Sequence, residues 1–409
     1  MKETPRRLRD TAFLDIGSTK VCCCLAHMRD DVLEILGLGH YASAGVKTGR
    51  IVDVEAAQQA LLRALETAEE EAERTVQTLF VSVPGGVLKT AFGEHTVSIE
   101  GNTVTKADII RGLTENTPFE EQQDLELLHA IPVSYAIDGC EGIEDPHGMM
   151  GKTLRVAAHF IAAPRSVLNA FRVVISRCHL DVAGFVAAPY ASGLALLGEE
   201  DLQLGVTVLD LGGHSSSFAL FKEGVLFGLG TVPLGGHHIT QDLSYGLSTG
   251  LVNAERAKTL YGSCLLASGD ERDLVLIPGS GDQNAVSLQQ IQKSLLVRII
   301  RPRVEETLDH IRRTLECFPP VFRRKLVLTG GASQLPGIRD IVSTSLNKHV
   351  STEKFYKILY RGDLVPGYST VLGLVRYFAA YRQDFLSEEN LDVLSGGWRG
   401  AWNWIKKNL

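Results

Sequence analysis

The clearest pattern along the chain is a repeated one. Residues 12–25 read Ala-Phe-Leu-Asp-Ile-Gly-Ser-Thr-Lys-Val-Cys-Cys-Cys-Leu, an apolar strand, a small-residue turn and a second apolar strand. The same grammar returns at 206–221, Val-Thr-Val-Leu-Asp-Leu-Gly-Gly-His-Ser-Ser-Ser-Phe-Ala-Leu-Phe, again with an Asp at a strand end two residues before a Gly. A further strand follows each copy (32–38; 225–229), then a Gly-bearing loop and a helical pattern (55–75; 238–245). A duplication spaced by 195 residues predicts two homologous α/β lobes facing one another across a cleft.

Between the copies, residues 84–162 carry strand, helix and turn signals of their own, including Pro132 and the Asp145-Pro146 turn, and read as an inserted subdomain. After the second copy the chain turns helix-rich, with amphipathic segments at 253–261 and 288–318, the latter interrupted by Pro302. A third strand-to-helix turn, Val327-Leu-Thr-Gly-Gly-Ala-Ser-Gln-Leu-Pro-Gly, follows. Residues 386–397 are polar and acidic and end in Ser395-Gly396-Gly397, the composition of a flexible linker.

At 409 residues and 44 % apolar content, several lobes can bury their own cores. The net charge of −7 argues against nucleic acid as a partner, so any basic patch is local. Cys22, Cys23 and Cys24 alternate in direction on a strand, which fits reduced thiols better than a shared metal or a disulfide framework. Arg6, Arg7 and Arg9 precede an apolar stretch broken by Asp15 and Lys20, so no signal peptide is expected, and no stretch reaches the roughly 18 apolar residues of a spanning helix.

Gly and small residues let backbone N–H groups approach phosphates closely. The turns Gly17-Ser18-Thr19 and Gly212-Gly213-His214-Ser215 supply such cradles from opposite lobes. Asp15 and Asp210 are placed to hold the water shell of Mg²⁺, and Lys20 to add a point charge on the phosphates. The third turn adds Gly330, Gly331 and Ala332. Together these predict a nucleotide held with Mg²⁺. The histidines show no metal-ligand spacing; His237 and His238 read as a polar surface pair.

Phosphate-one, phosphate-two and adenosine signatures in this order resemble those of the actin-like ATPase superfamily, and within it the FtsA family. The inserted segment carries the closer likeness: Ile131-Pro-Val-Ser-Tyr135-Ala-Ile-Asp138, Gly142-Ile143, Pro146, Gly148-Met149 and Gly151 through His159. The resemblance runs from about Phe13 to Leu409 and implies the two-lobed actin-like fold with an FtsA-type inserted subdomain. It also implies that Glu255 and Lys258 touch adenosine, with Gly236 near the phosphates. One departure stands out: where the family commonly has a third Gly this chain has His214, and where related ATPases often have an acid it has Ser217. Nucleotide binding is thus better supported than turnover.

The expected map is a first lobe at 1–83, completed by about 360–385, and the insertion at 84–162. The second lobe takes 163–234 and 326–359, a helix-rich partner-binding subdomain 235–325, the linker 386–397, and a terminal amphipathic helix 398–409. That last segment holds all three tryptophans, Trp398, Trp402 and Trp404. At about 100° per residue, Trp398, Ala401, Trp402, Ile405 and Leu409 share one arc, leaving Lys406 and Lys407 outside it. A helix of about 18 Å is too short to span a bilayer but suits its interface, with the cations on anionic lipid. By resemblance the protein self-assembles, holds the C-terminal tail of FtsZ, recruits later division proteins, and sits on the cytoplasmic face of the inner membrane at the septum. Arg298, Arg301, Arg303, Arg312 and Arg313 form a basic ridge suited to an acidic tail, with Arg301 and Arg303 as the expected contacts. The rival readings are a sugar or metabolite kinase, which would need a carboxylate base and a polyol pocket, and an actin-like adaptor of a pilus or secretion system.

Overall fold

The computed structural model describes residues 11–29, 32–279, 288–323, 325–352 and 355–385. Strands β1 (Thr11–Ile16), β2 (Lys20–Arg29) and β3 (Val32–Ala42) form an antiparallel meander, and β4 (Thr78–Val83) lies parallel to β1 after helix α1 (Val54–Ala72). Helix α1 begins where the Asp53 carboxylate accepts the Glu55 and Ala56 backbone N–H groups, and it buries one stripe, Ala57 through Ala68, on this sheet. Strand β4 leads into the insertion, a sheet ordered β5-β8-β6-β7 (Lys89–Ser98, Thr153–Pro164, Leu125–Ile137, Cys140–Ile143) backed by α2 (Lys106–Thr114).

The chain then returns through α3 (Arg165–Arg177) to β9 (Asp181–Ala187), which pairs parallel with β4. The first-lobe sheet thus runs β9-β4-β1-β2-β3-β17, closed by the short β17 (Ile358–Leu359). This corrects the expected boundary at 163. Residues 165–187 complete the first lobe, because a parallel partner for β4 can be reached only through a crossover helix. The second lobe begins with α4 (Ala188–Leu196).

Its sheet repeats the first lobe in the order β12-β11-β10-β15-β16 (Val225–Val232, Ser216–Lys222, Val206–Leu211, Lys325–Thr329, His349–Thr352). Asp15 faces Cys22 across its hairpin and Asp210 faces Ser217, so the 195-residue duplication holds to the level of strand register. Helix α5 (Gly236–Gly246), α6 (Leu251–Tyr261), the hairpin β13 (Leu274–Pro278) with β14 (Leu288–Gln292), and α7 (Lys293–Leu315) form the helix-rich part. Here two expectations are corrected. Residues 288–292 are a strand, and Pro302 lies inside α7 without ending it. The helix survives because its buried stripe, Leu296, Val297, Ile300, Val304, Leu308 and Ile311, continues on both sides of the proline and outweighs the roughly 3 kcal/mol that an interior proline costs.

Helix α8 (Ile338–Leu346) follows β15, and helix α9 (Ser369–Phe385) crosses α4 between the lobes. Among the described residues no helix is long and apolar enough to cross a membrane. The expected linker 386–397 and terminal helix 398–409 lie outside the described residues.

Candidate functional site

The two repeated turns meet. A Cβ on Gly213 would lie 2.3 Å from the Thr19 side chain, so the first-lobe and second-lobe loops converge from opposite sheets. Each turn folds the same way: a Cβ on Gly17 would lie 2.8 Å from the Lys20 carbonyl oxygen, and one on Gly212 would lie 2.7 Å from that of Ser215. Both contacts are below what any side chain tolerates, which is why glycine stands at both positions. Between the turns opens a cavity of about 560 Å³. Asp15, Gly17, Ser18, Thr19, Lys20, Asp210, Gly212, Gly213, His214, Ser215, Gly236, Glu255, Lys258, Gly330, Gly331 and Ala332 all line it.

The carboxylates sit at its floor. Asp15 accepts the Ser82 hydroxyl at 2.5 Å, and Asp210 accepts that of Ser192 at 3.1 Å; Ser192 in turn bonds the Thr370 hydroxyl at 2.9 Å. Burial pushes Asp15 up from its ordinary value, against the hydrogen bond from Ser82 and the charge of Lys20. Burial also raises Asp210 to about 6; the Ser192 bond and Lys20 oppose this, while the neighbouring charge of Asp15 adds to it. Lys20, the expected point charge on the phosphates, is already engaged: its ammonium lies 4.2 Å from the centre of the Tyr368 ring, and the Tyr368 hydroxyl meets His40 Nδ1 at 3.0 Å.

The second turn is braced by the next helix. The Gly236 and His237 N–H groups donate to the Gly212 and Gly213 carbonyls at 2.9 and 2.7 Å, so they are engaged by protein. Lys258 Nζ donates to the Gly236 carbonyl at 3.0 Å and to Glu255 at 2.7 Å, and Glu255 also accepts the Thr240 hydroxyl. The reading of His237 and His238 as a surface pair is corrected. His238 Nδ1 accepts the Gly235 N–H at 3.1 Å, closing the start of α5, and His237 turns into the cavity to stack on His214. Adjacent positions in the first turn of a helix diverge, which here separates a cap from a cleft residue. Sequence reasoning also missed Ser82, Ser192 and Thr370, since hydroxyls that steady a carboxylate carry no motif.

The basic ridge on α7 is largely compensated. Arg303 grips Asp242 through Nε at 2.5 Å and Nη2 at 3.0 Å and also pairs with Glu306, so it is not the open cation expected. Among the described residues Arg301 pairs along the helix with Glu305 at 2.7 Å, and its side chain is half exposed.

A raised carboxyl makes a signed prediction. Asp210 prefers its proton in the folded chain, so it contributes stability that is complete below about pH 4 and lost as pH rises through about 6. The displacement corresponds to on the order of 3 kcal/mol. Nucleotide-free Asp210→Asn should melt above wild type at pH 7.5 by several degrees and close to it at pH 4.5, as followed by thermal melts across that range.

Two homologous lobes, each with a meander whose first hairpin carries an Asp-x-Gly turn and both closing on one cavity, define a two-lobed actin-like ATPase fold. Solved structures agree on the fold: the PilM-PilN type IV pilus biogenesis complex superposes with a TM-score of 0.62 at 16 % identity, covering 90 % of this chain and 97 % of that one. MreB5 of Spiroplasma citri bound to ADP superposes with a TM-score of 0.51 at 12 % identity, covering 93 % and 98 %. The family model described as cell division protein FtsA matches residues 207–373, and that of the SHS2 domain inserted in FtsA matches 85–162. The cell division protein FtsA of Agrobacterium fabrum is 36 % identical over 387 residues, 91 % of this chain and 87 % of that protein. That of Neisseria meningitidis is 30 % identical over 373 residues, 90 % and 89 %. That of Escherichia coli K12 is 27 % identical over the full length of both. The chain belongs to the FtsA family of cell division proteins.

Proposed function

We propose that this chain binds ATP with Mg²⁺ between its lobes, self-assembles, and tethers the FtsZ ring to the cytoplasmic face of the bacterial inner membrane at the division septum, where it helps recruit later division proteins. The observation that carries the nucleotide part is the convergence of the two glycine turns, Thr19 against Gly213, over paired carboxylates. The donor set suits a hydrated divalent cation: Asp15 and Asp210 line one cavity, and the charge of Asp15 adds to the cost of ionising Asp210. Both would hold Mg²⁺ through water, and the cation would neutralise phosphate charge. Any turnover is slow at most, since Ser217 stands beside Asp210 where an acid would orient water. ATP with Mg²⁺ should raise the melting temperature by mass action, and Asp210→Asn should remove the Mg²⁺-dependent part. Equal melting of both proteins with and without saturating nucleotide would refute the cleft assignment.

The partner part rests on the family membership and on the half-exposed Arg301 of α7. Arg301→Glu should weaken an FtsZ tail peptide several-fold in a low-salt titration and leave ATP binding intact. Arg303→Glu is the poorer probe, because the new carboxylate would face Asp242 and Glu306 and cost stability first.

A further inference from the structure

The phosphate end of the cavity carries a stacked pair of imidazoles. His214 ends the second glycine turn and His237 opens α5; their rings stack with centroids 4.3 Å apart and planes 21° from parallel. Both line the cavity. The Nδ1 atom of His214 is buried with no hydrogen-bond partner among the described residues. The bond from the His237 N–H to the Gly213 carbonyl, 2.7 Å, holds together the two backbone segments that carry the rings.

The charges around the pair are mostly of one sign. Lys47 and His238 face His214, and His238, Lys258 and Glu255 face His237. The one acid among them, Glu255, is already engaged by Lys258 and Thr240. Asp15, Asp210 and Lys20 line the same cavity. Burial first, then the neighbouring imidazole, keeps His214 below the ordinary histidine range, and burial followed by His238 does the same for His237. Without an anion the pair is therefore neutral at physiological pH, which leaves each imidazole one ring nitrogen able to take a proton.

A polyphosphate reverses each of these terms. It places negative charge beside the half-buried stacked rings, and it accepts hydrogen bonds only from protonated nitrogens. We propose that His214 and His237 form a proton-taking clamp on the phosphate chain of the bound nucleotide, neutral in the empty cleft and carrying one added proton in the complex. This rests on the nucleotide reading of the cleft. No bond of the nucleotide breaks: the proton comes from solvent, settles on one imidazole nitrogen of the stack, and is donated to a phosphate oxygen. Only one proton is taken, because a second would put two cations in stacking contact. His214, which replaces a small residue in the turn, thereby makes nucleotide affinity respond to pH.

Calorimetric titration of the full chain with ATP and Mg²⁺ at pH 7.5, in buffers of different ionisation enthalpy, counts the protons. At that pH the terminal phosphate is already ionised, so uptake reports on the protein. The expected count lies between about half and one proton taken up per nucleotide. His237→Gln and His214→Gln should each bring it close to zero and weaken ATP about tenfold at pH 6.5 but only about twofold at pH 8.5, the loss of one charge-assisted bond. Wild-type binding with a zero count overturns the clamp and leaves the cleft assignment standing. Glutamine variants that keep the wild-type count also overturn it; if a variant fails to fold, the wild-type count decides alone. A chain that gives neither binding heat nor a thermal shift with ATP loses the cleft assignment, and the clamp with it.

Discussion

Alanine at Gly373 should destabilise the chain by at least about 3 kcal/mol and lower its melting temperature by several degrees or more. Helices α4 and α9 cross at this residue, and a Cβ there would lie 1.7 Å from the Ala191 carbonyl oxygen and 2.3 Å from its carbon. Neither atom can rotate away, because both belong to the backbone of a buried helix. The two helices must part, and they carry the joint between the lobes: α4 enters the second lobe from β9, while α9 buries Val371, Leu372, Leu374 and Val375 against the first. The damage should reach the site as well, since Ser192 on α4 joins Asp210 to Thr370 on α9. Gly373→Ala should therefore also lose part of the stabilisation that ATP gives. Gly331→Ala is the control, because a Cβ there meets nothing within 4 Å; its nucleotide-free melting should stay with wild type. Melts of both variants with and without ATP and Mg²⁺ test the pair, and a Gly373→Ala protein that melts with wild type would show that the crossing is not this close.

What was legible in the sequence was what a local pattern can encode. Asp15 and Asp210 announced themselves because each ends a strand two residues before a glycine, and the duplicated turn could be read without knowing which strands pair. Sheet membership is a different kind of fact. Strand β9 belongs to the first lobe although about a hundred residues separate it from β4, and nothing in Asp181–Ala187 says which sheet will take it. The same limit explains Leu288–Gln292, whose Leu-Gln-Gln-Ile-Gln fits a helix period as well as a strand until β13 pairs with it. Pro302 was overvalued because local propensity was weighed without the buried stripe of α7. His237 and Arg303 show the reverse case. Their residue types suited a polar surface, and only packing reveals that one stacks inside the cleft and the other is spent on Asp242.

The membrane anchor rests on sequence alone, and there the expected effect is a complete loss of binding. In the apolar arc expected for 398–409, Ile405 lies near the centre and Trp402 at one edge, and a carboxylate at either would put charge at the acyl boundary and repel anionic lipid. Trp402→Glu combined with Ile405→Glu should leave the protein at the bottom of a flotation gradient with liposomes. Lys406→Glu with Lys407→Glu should weaken flotation mainly on anionic lipid, since each cation near such a surface contributes about 1 kcal/mol. A single short helix binds reversibly, so wild-type flotation should also rise steeply once copies assemble and several anchors act together. The alternative is that the tryptophans pack on the body of the protein. The polar, Gly-ended composition of 386–397 predicts otherwise, because a segment docked on its own core has no use for such a spacer. The two possibilities separate in one experiment: a tether mutant sinks and melts with wild type, whereas a docked helix, once charged, floats as before and lowers the melting temperature by many degrees.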